Sequence, residues 1–158
     1  MDSEVKLYLE RSENELRLAR AIFNLSENEK FKLDLGVNNS DTFYSAVISH
    51  SYYCIFYCAK SFLLNKNIKT RTPNEHKKTY EEFKKFVESG ELDLELQRIY
   101  DELLDEASEL LKLFMDEKRK RGRFVYRTLS QANKLPAKAS IENAIKFLFN
   151  IKGVIENE

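Results

Sequence analysis

Arg71 and His76 are separated by four residues, Thr72-Pro73-Asn74-Glu75, at a point where a helix is expected to open. The positive end of a helix disfavours an imidazolium. A neutral imidazole there is suited to take a proton from a ribose hydroxyl, and a nearby guanidinium to stabilise charge growing on a phosphate. Lys69 and Lys77 flank this pair. A second segment, Lys118-Arg119-Lys120-Arg121-Gly122-Arg123, carries five cations in six residues, with Phe124 and Tyr126 just after it. That exceeds what a helix C-terminus needs to complement its dipole and points to phosphate contacts. If the two segments meet in space, Arg71 and His76 become catalytic candidates. Lys69, Lys77, Lys118, Arg119, Arg121, Arg123 and Tyr126 then become nucleic-acid or nucleotide-binding candidates. The plainer alternatives stay open: a surface histidine at a helix start, and cations answering a helix dipole.

Other chemistries find less support. Cys54 and Cys58 lie one helical turn apart among aromatic residues and read as small core residues. Two thiols alone do not make a zinc site, and one helix face is a poor place for a disulfide. Asp101, Asp105 and Glu109 form a carboxylate ridge without the Glu-x-x-His pairs of a di-metal bundle, so a solvated face is expected and no metal site. No phosphate-cradling glycine loop or nucleophile motif occurs, and no cofactor is expected. Tyr52, Tyr53 and Tyr57 read as core, with His50 or Lys60 as partners for their hydroxyls.

The elements that must position these groups are helices. Leu9, Leu16, Ala19 and Phe23 recur at helical spacing in a first helix from Ser3 to about Asn28. A loop follows to Asn39, punctuated by Gly36. A second helix, from about Asp41 to Asn65 and capped by Ser40 or Asp41, is apolar nearly all round and belongs at the centre of a bundle. Thr72 as cap, Pro73 at the first helical position and Glu75 as a capping-box partner predict a third helix ending near Gly90. A fourth starts near Asp93 and stops at Gly122. Pro136 or Ser140 opens a last one, with Ile141, Ile145, Leu148, Phe149 and Ile151 as its stripe.

The chain has 158 residues, four glycines, two prolines and no net charge. It reads as one domain over residues 1–158, all-α, an antiparallel up-and-down bundle of about five helices. Alternation of helix direction would gather Lys66, Lys69, Arg71, His76 and Lys118–Arg123 at one end. Glu27, Glu29, Asp34, Glu88, Glu91 and Asp93 would gather at the other. No apolar run reaches membrane-spanning length, and Met1-Asp2-Ser3-Glu4 lacks the basic start of a signal peptide, so a cytoplasmic location is expected.

Ser49-His50-Ser51-Tyr52-Tyr53-Cys54-Ile55-Phe56, followed by Ala59-Lys60 and Leu63-Leu64, resembles the Tyr-Tyr helix of HEPN-domain proteins. Ile68-Lys69-Thr70 through His76-Lys77, the turn Ser89-Gly90-Glu91-Leu92-Asp93, and Arg121-Gly122-Arg123-Phe124-Val125-Tyr126 are similar to later segments of the same family. The resemblance runs from about Ser40 to Ile155. It implies a small helical bundle and a homodimer that binds RNA or a nucleotide. The nuclease branch uses an arginine, a short spacer and a histidine. For that branch the resemblance implies a metal-independent ribonuclease toxin paired with a small nucleotidyltransferase antitoxin. The other implied role is a non-catalytic dimeric module that binds a nucleotide or a protein. Two positions depart from the family pattern: His50 stands where arginine is common, and Val125 where an aspartate precedes the tyrosine.

Overall fold

In a computed structural model the chain is described over residues 1–120 and 134–157, with side chains over 1–108 and 134–157. Among the described residues every element is a helix. These are α1 (Ser3–Glu27), α2 (Glu29–Asp34), α3 (Tyr44–Asn65), α4 (Glu75–Glu88), α5 (Leu94–Lys120) and α6 (Lys134–Glu156).

α3 is the axis of the bundle. Its residues Val47, Ile55, Cys54, Cys58, Ala59, Phe62 and Leu63 are fully buried, as expected of a helix apolar on almost every side. α1 lies against it in the opposite direction. Ser12 Oγ donates to the Cys54 carbonyl at 2.7 Å, and Ser61 Oγ donates to the Val5 carbonyl at 2.8 Å. These small hydroxylated residues let the two backbones approach closely while keeping their polar atoms paired. α6 is antiparallel to both α1 and α5. Lys152 meets Glu13 at 2.8 Å, Ser140 donates to Glu106 at 2.9 Å, and Asn143 donates to Glu102 at 3.1 Å. Phe62, Phe83, Tyr100 and Phe147 join α3, α4, α5 and α6 in one aromatic core.

The four long helices thus alternate in direction, but α4 does not. Its first turn touches the middle of α3, through Tyr52 and Lys60, and its later residues Phe83 and Phe86 reach Phe62. α4 therefore runs in the same sense as α3. The cause is the nine-residue connection 66–74, which doubles back along α3 before α4 begins. Asn67 and Asn74 take left-handed backbone conformations, both at φ 60°, which asparagine tolerates better than most residues. Thr70, buried in the connection, pairs with Thr79 of α4 at 2.7 Å.

Several local expectations change accordingly. α4 opens at Glu75, after Asn74, and neither Thr72 nor Asn74 caps it by a side chain. Glu75 turns to Lys60 instead of closing a capping box. The stretch 28–39 is not all loop: Asn28 ends α1 and also caps α2, its side chain accepting from the Phe31 N–H. α3 starts at Tyr44, so the cap position falls to Phe43, which has no side-chain acceptor, and not to Ser40 or Asp41; the Phe43 N–H donates to Ser26 Oγ at 2.8 Å. On α6 the buried stripe is Ala137, Ser140, Ala144, Phe147, Leu148, Ile151 and Ile155, while Ile145 and Phe149 face outward. Gly90 takes the left-handed turn expected of it, at φ 83°.

Candidate functional site

His76 is the second residue of α4. The doubled-back connection sets it on the side wall of the bundle, over the middle of α3. Its ring stacks on Phe56 with centroids 3.9 Å apart and an interplanar angle of 11°. Nδ1 lies 2.9 Å from the Tyr52 hydroxyl. Tyr52 is buried, and burial, reinforced by the neighbouring Tyr53, pushes its pKa up to about 12. It therefore stays a phenol at any working pH. With Nδ1 engaged, Nε2 is the nitrogen left for chemistry. The residue keeps an exposed edge, yet its pKa is lowered from the ordinary value. Desolvation of the ring is the main cause, and the Lys60 ammonium adds to it. The α4 N-terminus acts in the same direction. The imidazole is accordingly neutral near pH 7.

Lys60 is the second surprise. The sequence suggests it as a partner for a tyrosine hydroxyl. It is buried, ion-paired to Glu75, and its ammonium lies 4.5 Å from the centre of the Tyr8 ring. A buried lysine needs such a counter-charge, which explains why Glu75 abandons the helix end. His50, the other suggested partner, pairs with Glu15 across α1 and α3 at 2.6 Å. Of the three tyrosines read as core, only Tyr52 is buried: Tyr57 is half-buried and Tyr53 is 38% exposed. Cys54 and Cys58 are core as expected, and burial drives the Cys54 thiol up to about 12.

The remaining candidates scatter. Arg71 is exposed on the connection, where its carbonyl accepts from Lys78 at 3.3 Å. Lys69 reaches across to Glu4 at 2.6 Å, and Lys77 lies 3.8 Å from Glu81 on its own helix. Lys118 and Arg119 stand on the last turn of α5. Arg121, Arg123 and Tyr126, like the stop expected at Gly122, lie outside the described residues.

Among the described residues the shared basic end does not form. Tyr80 donates to Asp101 at 2.5 Å and Phe83 meets Tyr100, so α4 and α5 are antiparallel and His76 stands level with about residue 106. At 1.5 Å per residue, Lys118 is then on the order of 20 Å further along α5. It lies toward the end where α3 begins. Lys66, at the other end, pairs with Glu91 at 3.5 Å, so acidic and basic residues mix there. The expected charge separation assumed that α4 alternates in direction, and the length of its connection undoes that.

Nothing in the sequence pattern singled out Tyr8 or Arg11. Both belong to α1, and only the antiparallel register of α1 on α3 brings them beside Tyr57 and Lys60. No described helix is long and apolar enough to cross a membrane.

Comparison with known proteins adds three findings. The family model for the HEPN domain matches residues 5–156. Over 85 residues the chain is 39% identical to a protein of Methanocaldococcus jannaschii named "Putative toxin MJ0142", an alignment covering 52% of this chain and 55% of that one. The chain thus spans about half the length of the curated relative it matches. No solved structure matches it.

Proposed function

The chain belongs to the HEPN-domain family, and from that membership we propose that it binds single-stranded RNA at the His76 wall and cleaves it without a metal ion. The observation that carries the reading is the held, neutral imidazole: Nδ1 fixed by Tyr52 and a pKa depressed by desolvation and by Lys60. With the ring proton on Nδ1, donated to Tyr52 Oη, Nε2 removes the proton of a ribose 2′-hydroxyl. The 2′-oxygen then bonds to the adjacent phosphorus, and the bond from phosphorus to the 5′-oxygen breaks. A 2′,3′-cyclic phosphate remains on one fragment and the departing 5′-oxygen takes up a proton. Arg71, exposed and without a carboxylate partner among the described residues, is the group to neutralise the non-bridging oxygens. The name of the archaeal relative supports a toxin role, with a nucleotidyltransferase as the matching antitoxin. A homodimer is part of the same proposal. Leu7 and Leu18 on α1 remain 47% and 43% exposed, apolar surface that a second copy would cover.

The test is cleavage of labelled RNA in excess chelator by the native chain and by His76→Ala. Loss of an acid–base group costs about 100- to 10,000-fold in rate. Equal rates in the two proteins would remove His76 from the reaction. A second reading, a non-catalytic binding module, is favoured by one observation. The cationic end of α5 stands far from His76, so phosphate binding there does not involve the imidazole. Salt-sensitive RNA binding by a native chain that cleaves nothing would select it.

A further inference from the structure

We propose that Tyr53, Tyr57, Tyr8 and Arg11 form a subsite on the outer wall of α1 and α3 that stacks the bases of single-stranded RNA leading away from His76. The inference takes its class of ligand from the RNA reading above and adds where the bases go. The rings form one continuous run. Centroids are 5.9 Å apart from His76 to Tyr53, 6.2 Å from Tyr53 to Tyr57 and 6.0 Å from Tyr57 to Tyr8. The run is open to solvent at Tyr53 and half-open at Tyr57 and Tyr8. Aromatic side chains in such a row accept bases of any sequence, since every base has a π-face.

Charge on this wall is complementary to a phosphate backbone. The Arg11 guanidinium carbon lies 5.5 Å from the centre of the Tyr8 ring and 5.7 Å from that of Tyr57, so it sits between the two rings. Among the described residues it meets no carboxylate. Of the acidic neighbours, Glu75 is ion-paired to Lys60 and Glu15 is hydrogen-bonded to His50. An exposed arginine over aromatic faces is itself attracted by them, which fixes its position without consuming its charge. A run of rings with one exposed arginine beside it, beginning at the proposed general base, suits a single strand. A core would instead have closed over these rings.

The test uses a fluorescently labelled single-stranded 2′-O-methyl oligoribonucleotide, whose blocked 2′-oxygen prevents cleavage, with anisotropy as readout. Tyr53→Leu keeps apolar bulk and loses the ring, and should weaken binding about 5- to 150-fold, whereas Tyr53→Phe should bind like the native chain. The same oligomer with abasic positions should erase the difference between the native chain and Tyr53→Leu. Arg11→Gln should flatten the dependence of log affinity on log salt by about 0.7, one phosphate contact, while Tyr53→Leu leaves that slope unchanged. Native-like affinity in Tyr53→Leu, or no binding by the native chain, overturns the subsite. So does a changed sedimentation state in Tyr53→Leu, which would assign the rings to a second copy. Displacement by adenosine monophosphate at concentrations matching the oligomer would assign the wall to free nucleotides and overturn the RNA assignment. Failure of the cleavage reading looks different: binding and its Tyr53 dependence persist, while unmodified RNA stays intact.

Discussion

Removing a single oxygen, in Tyr52→Phe, tests whether the imidazole is positioned or merely present. The phenol is buried and its ring packs against Tyr53 and His76, so phenylalanine fills the same volume. What is lost is one hydrogen bond of 2.9 Å to Nδ1. A neutral hydrogen bond contributes about 0.5–1.5 kcal/mol net. If that energy holds the ring in its reacting pose, the rate falls by roughly 2- to 12-fold. The stacking on Phe56 survives the change and limits how far the ring strays. The assay is single-turnover cleavage of labelled RNA in chelator, at several substrate concentrations. The expected result is a lower maximal rate with unchanged half-saturation, well short of the about 100- to 10,000-fold loss in His76→Ala. Two outcomes refute the reasoning. An unchanged rate means the hydroxyl does not orient the base. A loss as deep as that of His76→Ala means Tyr52 itself touches the reacting atoms.

The remaining predictions concern pH, packing and phosphate contact. Because the native state disfavours the imidazolium, the acidic limb of the rate profile should lie below the ordinary histidine value of 6.5. Lys60→Met removes a cation and frees the Glu75 carboxylate, so it should move that limb to higher pH; a shift to lower pH would contradict the assignment. Native stability should also decline as pH falls through this range, since the unfolded chain then binds more protons than the folded one, and denaturant titrations at a series of pH values check this. Phe62→Ala empties the fully buried centre between Phe83 and Phe86. It should cost about 3–5 kcal/mol, lowering Tm by roughly 6–20 °C in a thermal melt. Alanine at Arg119, Arg121 and Arg123 together should weaken RNA binding of any sequence and flatten its salt dependence, leaving the His76 rate at saturating RNA intact. Sedimentation should show a dimer; a stable monomer at micromolar concentration would remove the second copy from the proposal.

Helix chemistry was largely readable from the sequence. The stripe Leu9, Leu16, Ala19 on α1 and the all-round apolarity of α3 depend on local periodicity, and both pack as their spacing implies. The Arg71–His76 spacing marked the turn of chain on which the proposed base stands. What periodicity does not encode is direction. Whether α4 runs with or against α3 depends on how the connection 66–74 folds on the α3 surface, through contacts such as Thr70–Thr79 that no pattern announces. From that one ambiguity follow the misplaced basic end and the unforeseen partner of Tyr52. Tyr53 was misjudged for a related reason: an apolar helix has an outward side that only its neighbours define, and no described helix covers α3 there. Lys60 was assigned to a tyrosine hydroxyl because its actual partner, Glu75, arrives from the next helix.

The connection that turns α4 around has a consequence for engineering and for divergence within such bundles. Cut to a tight turn of two or three residues, it would make α3 and α4 an ordinary helical hairpin. The start of α4 would then move by about its own length, on the order of 20 Å for its 14 residues at 1.5 Å each. His76 would leave Tyr52 and Phe56 for the end of the bundle, and Lys60 would lose its counter-ion. Yet every helix would survive, and the circular dichroism spectrum would barely change. In this architecture loop length works as a selector that assembles or dismantles the site while the scaffold registers nothing. Sequences with the same helices but a shorter connection at this point are therefore expected to keep the bundle and lack the His76 wall.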